Sequence, residues 1–214
     1  MSSYFLWQTF VTLLVVIDPF AVVPMFVNLT RNDTPINKRK TAIKACTIGA
    51  IILLSFAFTG DYLLDAMSIS EPAFRIAGGF LLLLIAIDMV IAKSHSGFRS
   101  TTSDEDDEAA HREDVSVFPL AIPMIAGPGA LTSLVVLMRQ SEMMGSFMTA
   151  GVLIILCIVL ILTYICFLLG DYVMKVFGVT GTNVLTRVFG IILAALAVQG
   201  IIDGIKAVIK IGIS

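Results

Sequence analysis

The sequence has few charged residues and few side chains that could build a polar active centre. Only 14% of its 214 residues are Asp, Glu, Lys or Arg, against about 25% in soluble proteins. Three cysteines lie inside apolar stretches and lack disulfide or metal-ligand spacing. The two histidines, His95 and His111, share one polar segment. A soluble domain is excluded, and we expect no enzyme activity, no metal, no organic cofactor and no nucleic-acid partner.

Apolar residues are what the chain has in excess. They form 57% of the sequence, and the mean hydropathy is +0.97. A soluble core could not bury this much apolar surface, so lipid must solvate it. Crossing about 30 Å of hydrocarbon takes about 20 helical residues. Six stretches have that length: Tyr4–Leu29, Thr41–Leu64, Ala73–Ala92, Val117–Met138, Phe147–Leu169 and Arg187–Ile209. The sequence predicts an all-α polytopic membrane protein with six spans and no soluble domain.

Basic residues are divided unevenly between the two sides of such a bundle. Ten of the fourteen Lys and Arg residues fall in the connections after spans one, three and five, including Arg187, or at their edges. The other four, among them Arg75, fall on the opposite side. The positive-inside rule places the larger group in the cytoplasm. Both termini are then predicted to lie in the periplasm or outside the cell, with the chain in the inner membrane.

The two halves of the chain resemble each other at a nearly constant offset. The tripeptide Gly60–Tyr62 returns at 170–172, Arg75–Gly78 is echoed at 187–190, and Asp18–Ala21 at 127–130. Three spans per half put the second half into the membrane from the opposite side, an arrangement common in secondary transporters. The sequence predicts inverted three-helix repeats at 1–92 and 117–214, joined by an acidic cytoplasmic linker at 93–116.

Spans one and four each contain a helix-breaking sequence near their middle. Asp18-Pro19 interrupts the first, and Gly127-Pro128-Gly129 interrupts the fourth. Proline removes a backbone donor and suits the first position of a new helix, with Asp18 or Gly127 as its N-cap. Irregular backbone at this depth is tolerated only where it is buried in protein or lines a cavity. Both spans are therefore predicted to consist of half-helices that meet near the midplane, either as a binding site or as simple kinks.

Several longer motifs resemble those of the MarC family, also called the six-helix neutral amino-acid transporter family. The strings are Phe74–Gly79, Pro119–Pro123, Ala126–Ala130 and Thr180–Arg187. The resemblance covers nearly the whole chain. It implies six spanning helices in a bacterial or archaeal membrane and transport of small neutral amino acids such as glycine and alanine.

The half-helix N-termini are the predicted substrate site. Free N–H groups and the positive ends of helix dipoles suit a carboxylate, and we predict that Asp18 lies near the ammonium or a coupling cation such as H⁺ or Na⁺. Asp18 as a mere helix cap is an equally weighted alternative. The predicted substrate-binding set is Asp18, Pro19, Gly127, Pro128, Gly129, Thr132 and Ser133.

Three other charged residues are candidates for coupling or gating. Asp88 lies near the cytoplasmic end of span three, where it could instead snorkel to the interface, and Gln199 and Asp203 are weaker candidates in span six. Arg75 and Arg187 begin repeat-equivalent helices, as interfacial anchors or as gates. A stripe of small residues in span six, including Gly190, Ala197, Gly200 and Gly204, indicates close helix packing.

The sequence as a whole favours a secondary transporter of small neutral amino acids, driven by a proton or sodium gradient. The alternatives are an exporter of another small metabolite and a non-transporting assembly or stress factor.

Overall fold

A computed structural model describes residues 2–91 and 114–212, and within these ranges the chain forms helices without β-strands. The predicted linker, its acidic run at 104–108 and both histidines lie outside the described residues, apart from positions 114–116. The elements are α1 (Ser2–Ile17), α2 (Pro19–Leu29), α3 (Pro35–Ala66), α4 (Glu71–Ile91), α5 (Ser116–Ile125), α6 (Pro128–Met144), α7 (Ser146–Leu168) and α8 (Gly170–Gly212).

Proline at the first helical position begins three of these helices. Pro19, Pro35 and Pro128 start α2, α3 and α6, where the missing N–H would have had no intrahelical partner. Thr34 caps α3, because its Oγ1 accepts a hydrogen bond from the Asn37 N–H at 3.3 Å. These start signals are local in sequence, so the helix starts at Pro19 and Pro128 could be predicted.

The described helices supply enough apolar length for five or six crossings. Five candidate spans are continuous enough to count singly, and α5 with α6 forms a sixth that bends by 51°. The five are Ser3–Leu29, Pro35–Gly60, Pro72–Ile91, Ser146–Leu168 and Thr180–Lys210. The prediction of an all-α polytopic membrane protein is confirmed.

Span six begins earlier than the sequence predicts. α8 changes direction at Gly178, whose φ of 60° lies in the left-handed region that favours glycine, and the membrane-length segment already starts at Thr180. The hydropathy pattern placed the start of the span later, because Thr180, Thr182 and Asn183 are polar although they are helical. Arg187 therefore does not begin a helix; it lies seven residues, about 10 Å, inside one.

The first half of span four is an irregular helix. α5 has wide, π-type turns and extended backbone at Phe118 and Ile122, each followed by a proline after a cis peptide bond. α6 continues to Met144, six residues beyond the predicted end of the span. Only the second half of span four is thus a regular half-helix.

The helices pack as one bundle with two recognisable ends. α4 packs along α8, α3 packs against α5, α6 and α7, and α1 and α2 contact α7 and α8. At one end, called the linker end, Lys38 pairs with Asp171 at 3.0 Å and Lys44 pairs with Asp114. At the other, the termini end, Arg139 of α6 lies 3.5 Å from Asp65 of α3. The ion pairs join connections that the topology predicts to share a side.

Candidate functional site

The first break is held by Asp18 itself. Its backbone is left-handed, with φ 46° and ψ 70°, and its Oδ1 accepts a hydrogen bond from the Ala21 N–H at 3.2 Å. The Asp18 N–H still donates to the Leu14 carbonyl at 2.9 Å, and the Asp18 carbonyl accepts from Val22 at 3.3 Å. Asp18 has no exposed surface. The residue therefore closes α1 and caps α2, and the two helices together form one candidate span, Ser3–Leu29.

The second break is formed by Gly127, which precedes α6. Its backbone is extended, and its carbonyl accepts the first helical bond from Leu131 at 3.0 Å. The Gly127 Cα faces the chain's own backbone, because a methyl group there would lie 2.4 Å from the Pro123 carbonyl oxygen. Glycine is thus required by the turn from α5 into α6.

The two breaks adjoin each other across the interface of α1 with α6. A methyl group added to Gly129 would lie 3.3 Å from Val16 Cγ1 and 2.7 Å from Ile85 Cδ1 of α4. Val16 lies two residues before Asp18, and Gly129 two residues after Gly127. The tertiary structure brings the predicted breaks together, and apolar side chains fill the space beside Gly129.

A partly polar cavity lies beside this junction. It has a volume of about 90 Å³, well above the 10–15 Å³ or so that one water needs. Its walls come from α1, α4, α6 and α8, and so from both halves of the chain. The lining residues are Gln8, Thr12, Arg75, Gly78, Gly79, Leu82, Thr132, Ser133, Val136, Leu137, Gln140, Leu196, Gln199, Gly200 and Asp203.

The cavity lies between the middle of the bundle and its termini end. Arg75 is near the start of α4, Gln140 near the end of α6, and Gln8 ten residues before the Asp18 break. Thr132 lies five residues after Gly127, a rise of about 7 Å. The floor of the cavity is therefore near the breaks, and its upper wall faces the side to which both termini belong.

Hydroxyl, amide and charged groups line the cavity. Thr132 Oγ1 donates to the Pro128 carbonyl at 2.8 Å, and Gln199 Nε2 donates to Asp203 Oδ1 at 2.9 Å. Ser133 is 4% exposed, and its hydroxyl has no hydrogen-bond partner among the described residues. Polar groups at membrane depth are tolerated where they face a cavity or another protein group, and here they face a cavity.

The small-residue stripe of α8 serves two purposes. At Gly190 and Gly204, an added methyl would lie 3.1 Å from the backbone carbonyl of Ala86 and Pro72 respectively, both in α4. These glycines allow close packing, as the spacing predicts. Gly200 differs, because a methyl there meets nothing within 4 Å and the residue lines the cavity.

Most of the predicted site residues fall into two groups. Arg75, Thr132 and Ser133 line the cavity, together with Gln199 and Asp203. The breaks themselves, at Asp18, Pro19, Gly127, Pro128 and Gly129, lie beside it rather than among its lining residues. Pro19 is buried and Pro128 exposed.

Two predicted gating residues lie elsewhere. Arg187 is exposed, and Asp88 is half-buried; neither lines the cavity. The sequence did not single out Gln8, Thr12 and Gln140. Gln8 and Thr12 are four residues apart, on one face of a mainly apolar helix, and that spacing was the available signal.

Comparison with known proteins gives a family match over almost the whole chain. The family model described as MarC family integral membrane protein matches residues 3–209. The UPF0056 membrane protein MJ1677 of Methanocaldococcus jannaschii is 37% identical, covering 95% of this chain and 97% of its own. The Escherichia coli UPF0056 membrane protein YhcE is 34% identical over 94% and 92%, and the Bacillus subtilis UPF0056 membrane protein YvbG is 33% identical over 99% of each chain. No solved structure matches the chain.

Proposed function

The chain belongs to the MarC family of integral membrane proteins, and we propose that it is a secondary transporter of small neutral amino acids. The observation that carries the proposal is the polar cavity between α1, α4, α6 and α8. A membrane bundle that only anchors or assembles has no physical reason to keep Arg75, Asp203 and three glutamines around an internal space. A solute that crosses the membrane needs such a space.

The break at α6 supports a site for an anionic group near the cavity floor. The first N–H groups of a helix lack intrahelical partners, and the helix dipole is positive at that end. Thr132 and Ser133 lie on the first turns of α6 and in the cavity wall. The dipole therefore favours negative charge on the cavity side of α6, and the Ser133 hydroxyl can donate a hydrogen bond to it.

Repeat-related contacts support the inverted-repeat architecture that we propose for alternating access. Gly60 of α3 packs against Val135 of α6, with a 2.6 Å approach of an added methyl to Cγ2. Gly170 packs against Val27 of α2 in the same way at 2.8 Å. Gly60 and Gly170 are sequence equivalents at an offset of 110, and Val27 and Val135 are offset by 108. Exchanging the two halves of the chain therefore places each of these glycine–valine contacts on the other.

Each end of the bundle carries a cavity, and the cavity lined by Arg75 and Asp203 lies toward the termini end. Toward the other end, Phe20 of α2 and Phe189 of α8 form an edge-to-face contact with ring centroids 6.0 Å apart. We assign this conformation to the state open to the termini side, with a proton or sodium gradient driving the exchange. We further propose an inner-membrane location with both termini outside the cytoplasm.

Filling the cavity tests the proposal. Gly200→Leu places a side chain in the cavity without meeting backbone, because the Cβ position is open. Ala195→Leu is the matched control, since Ala195 is an exposed residue of the same helix. Purified variants go into proteoliposomes, and uptake of labelled glycine and alanine is measured under imposed proton and sodium gradients.

We expect uptake by the wild type and by Ala195→Leu, and at least a tenfold loss in Gly200→Leu with unchanged expression and elution profile. Equal uptake by Gly200→Leu and the wild type would show that the solute does not pass through this cavity. Absence of uptake in the wild type, for every neutral amino acid and either gradient, would refute the transporter.

A further inference from the structure

The cavity has one basic and one acidic side chain on different helices, and we infer that these bind the two charged ends of a zwitterion. Arg75 belongs to α4 and Asp203 to α8, and both line the same space. The inference rests on the proposed function and assigns its substrate to named groups. The Arg75 guanidinium binds the carboxylate of the solute, and the Asp203 carboxylate binds its ammonium group.

Arg75 has the chemistry that a carboxylate needs. A guanidinium presents its donors in a rigid fork that matches the two oxygens of a carboxylate, and such charge-assisted pairs are strong. Arg75 is half-buried at the cavity wall, so bulk salt screens it less than an exposed charge. Its position on the fifth residue of α4 places it on the termini side of Gly78 and Gly79, where a solute would enter.

Asp203 is held in place by its own helix. Gln199, one turn earlier, donates its amide N–H to Asp203 Oδ1 at 2.9 Å. This bond uses one oxygen of a group that accepts several hydrogen bonds. An ammonium group carries three donors and no acceptor, so it complements the remaining capacity of the carboxylate.

Ser133 is the independent sign that this wall binds something polar. Buried polar side chains are nearly always hydrogen-bonded, yet the Ser133 hydroxyl has no partner among the described residues although the side chain is more than nine-tenths buried. Thr132 beside it is satisfied by Pro128. The Ser133 hydroxyl is therefore available for a third hydrogen bond to the solute.

The remaining lining limits the size of the side chain that the solute carries. Leu82, Val136, Leu137 and Leu196 surround the polar groups, and the space measures about 90 Å³. A short substituent fits this space, whereas a long one does not. The site therefore selects a small zwitterion by its two ends.

Binding to detergent-purified full-length protein tests the assignment without relying on transport. Titration calorimetry is run with glycine, with glycinamide, which keeps the ammonium but lacks the carboxylate, and with acetate, which lacks the ammonium. Arg75→Gln should lower the affinity for glycine about tenfold to a hundredfold and leave the affinity for glycinamide unchanged. Asp203→Asn should lower the affinities for glycine and glycinamide by a similar factor and leave the affinity for acetate unchanged.

Lys175→Gln is the control, because Lys175 is an exposed charge at the opposite end of α8, and its affinities should equal those of the wild type. The unchanged ligand in each variant also demonstrates that the variant is folded. The assignment is overturned if the wild type does not bind glycine, if neither variant changes glycine affinity, or if Arg75→Gln weakens glycine and glycinamide equally.

Uptake assays with the same proteins in proteoliposomes distinguish a failure of the proposed binding site from a failure of the proposed transporter function. Arg75-dependent glycine binding without uptake would keep the site and refute the transporter. Glycine uptake whose KM is unchanged in Arg75→Gln and Asp203→Asn would keep the transporter and refute the site.

Discussion

Val16 of α1 lies against Gly129 of α6, so close that a methyl group on the glycine would approach Val16 Cγ1 to 3.3 Å. This contact joins the two broken spans within two residues of each break. It also shows that the space next to Gly129 is filled by protein. Substitutions at the breaks therefore test the helix junction first, whereas substitutions in the neighbouring cavity test the solute.

Asp18 tests whether the first break needs a charge or only a cap. Asp18→Asn should keep both the cap and the left-handed backbone, since Asn caps about as well as Asp and tolerates this conformation. We expect near wild-type thermal stability and near wild-type glycine uptake. Asp18→Ala should lower stability by about 1–2 kcal/mol through the lost cap. Normal stability with a sharp fall in uptake by Asp18→Asn would instead give the carboxylate a role in cation coupling.

Gly127 tests the geometry of the second break. Gly127→Ala would bring its methyl 2.4 Å from the Pro123 carbonyl oxygen, and overpacking of this kind destabilises by about 1–3 kcal/mol. We expect a lower unfolding temperature in detergent. Gly200→Ala is the matched control, because its added methyl meets nothing within 4 Å. Equal unfolding temperatures of the two variants would show that the turn between α5 and α6 can adjust to the added methyl group.

The orientation of the bundle is a prediction from its basic residues, and it can be measured directly. A reporter that is active only outside the cytoplasm should give signal when fused after Ser214. The same reporter inserted within 101–110 should stay silent, because that segment belongs to the side with ten of the fourteen basic residues. The opposite pattern of signals would reverse the orientation.

Asp114, at the linker end, should titrate below the usual range for aspartate. Hydrogen bonds from Lys44 and Ser116 hold the pKa of its carboxyl low. The stabilisation from these bonds is complete above the ordinary aspartate pKa and is lost as pH falls through the lower, folded-state value. Lys44→Gln should raise the pKa of Asp114, as followed by the carboxyl carbon shift in an NMR titration.

The control for that titration is Lys40→Gln, one turn earlier in α3 and exposed. It removes the same charge without removing a hydrogen bond to Asp114, so the pKa of Asp114 should move little. A shift as large as that of Lys44→Gln would mean that general electrostatics, rather than the specific contact, sets the titration.

The sequence alone determined the membrane class and the position of both breaks, and its six predicted spans compare with five or six among the described helices. These properties depend on residues that are adjacent in the chain. Apolar length decides whether a segment crosses a bilayer, and a proline after Asp18 or Gly127 breaks a helix wherever the helix is placed. For the same reason the sequence missed Gly178, since no proline marks that turn and the polar residues after it continue as helix.

Only the tertiary structure decided which polar residues share a cavity. Gln8, Arg75, Ser133 and Asp203 come from four helices and are separated by tens of residues, so their meeting depends on the rotation of each helix against its neighbours. It likewise decided that Gly204 packs against α4 while Gly200, one turn earlier on the same stripe, faces the cavity. A helical repeat fixes which residues share a face, but the shape of the opposing helices fixes whether that face meets protein or space.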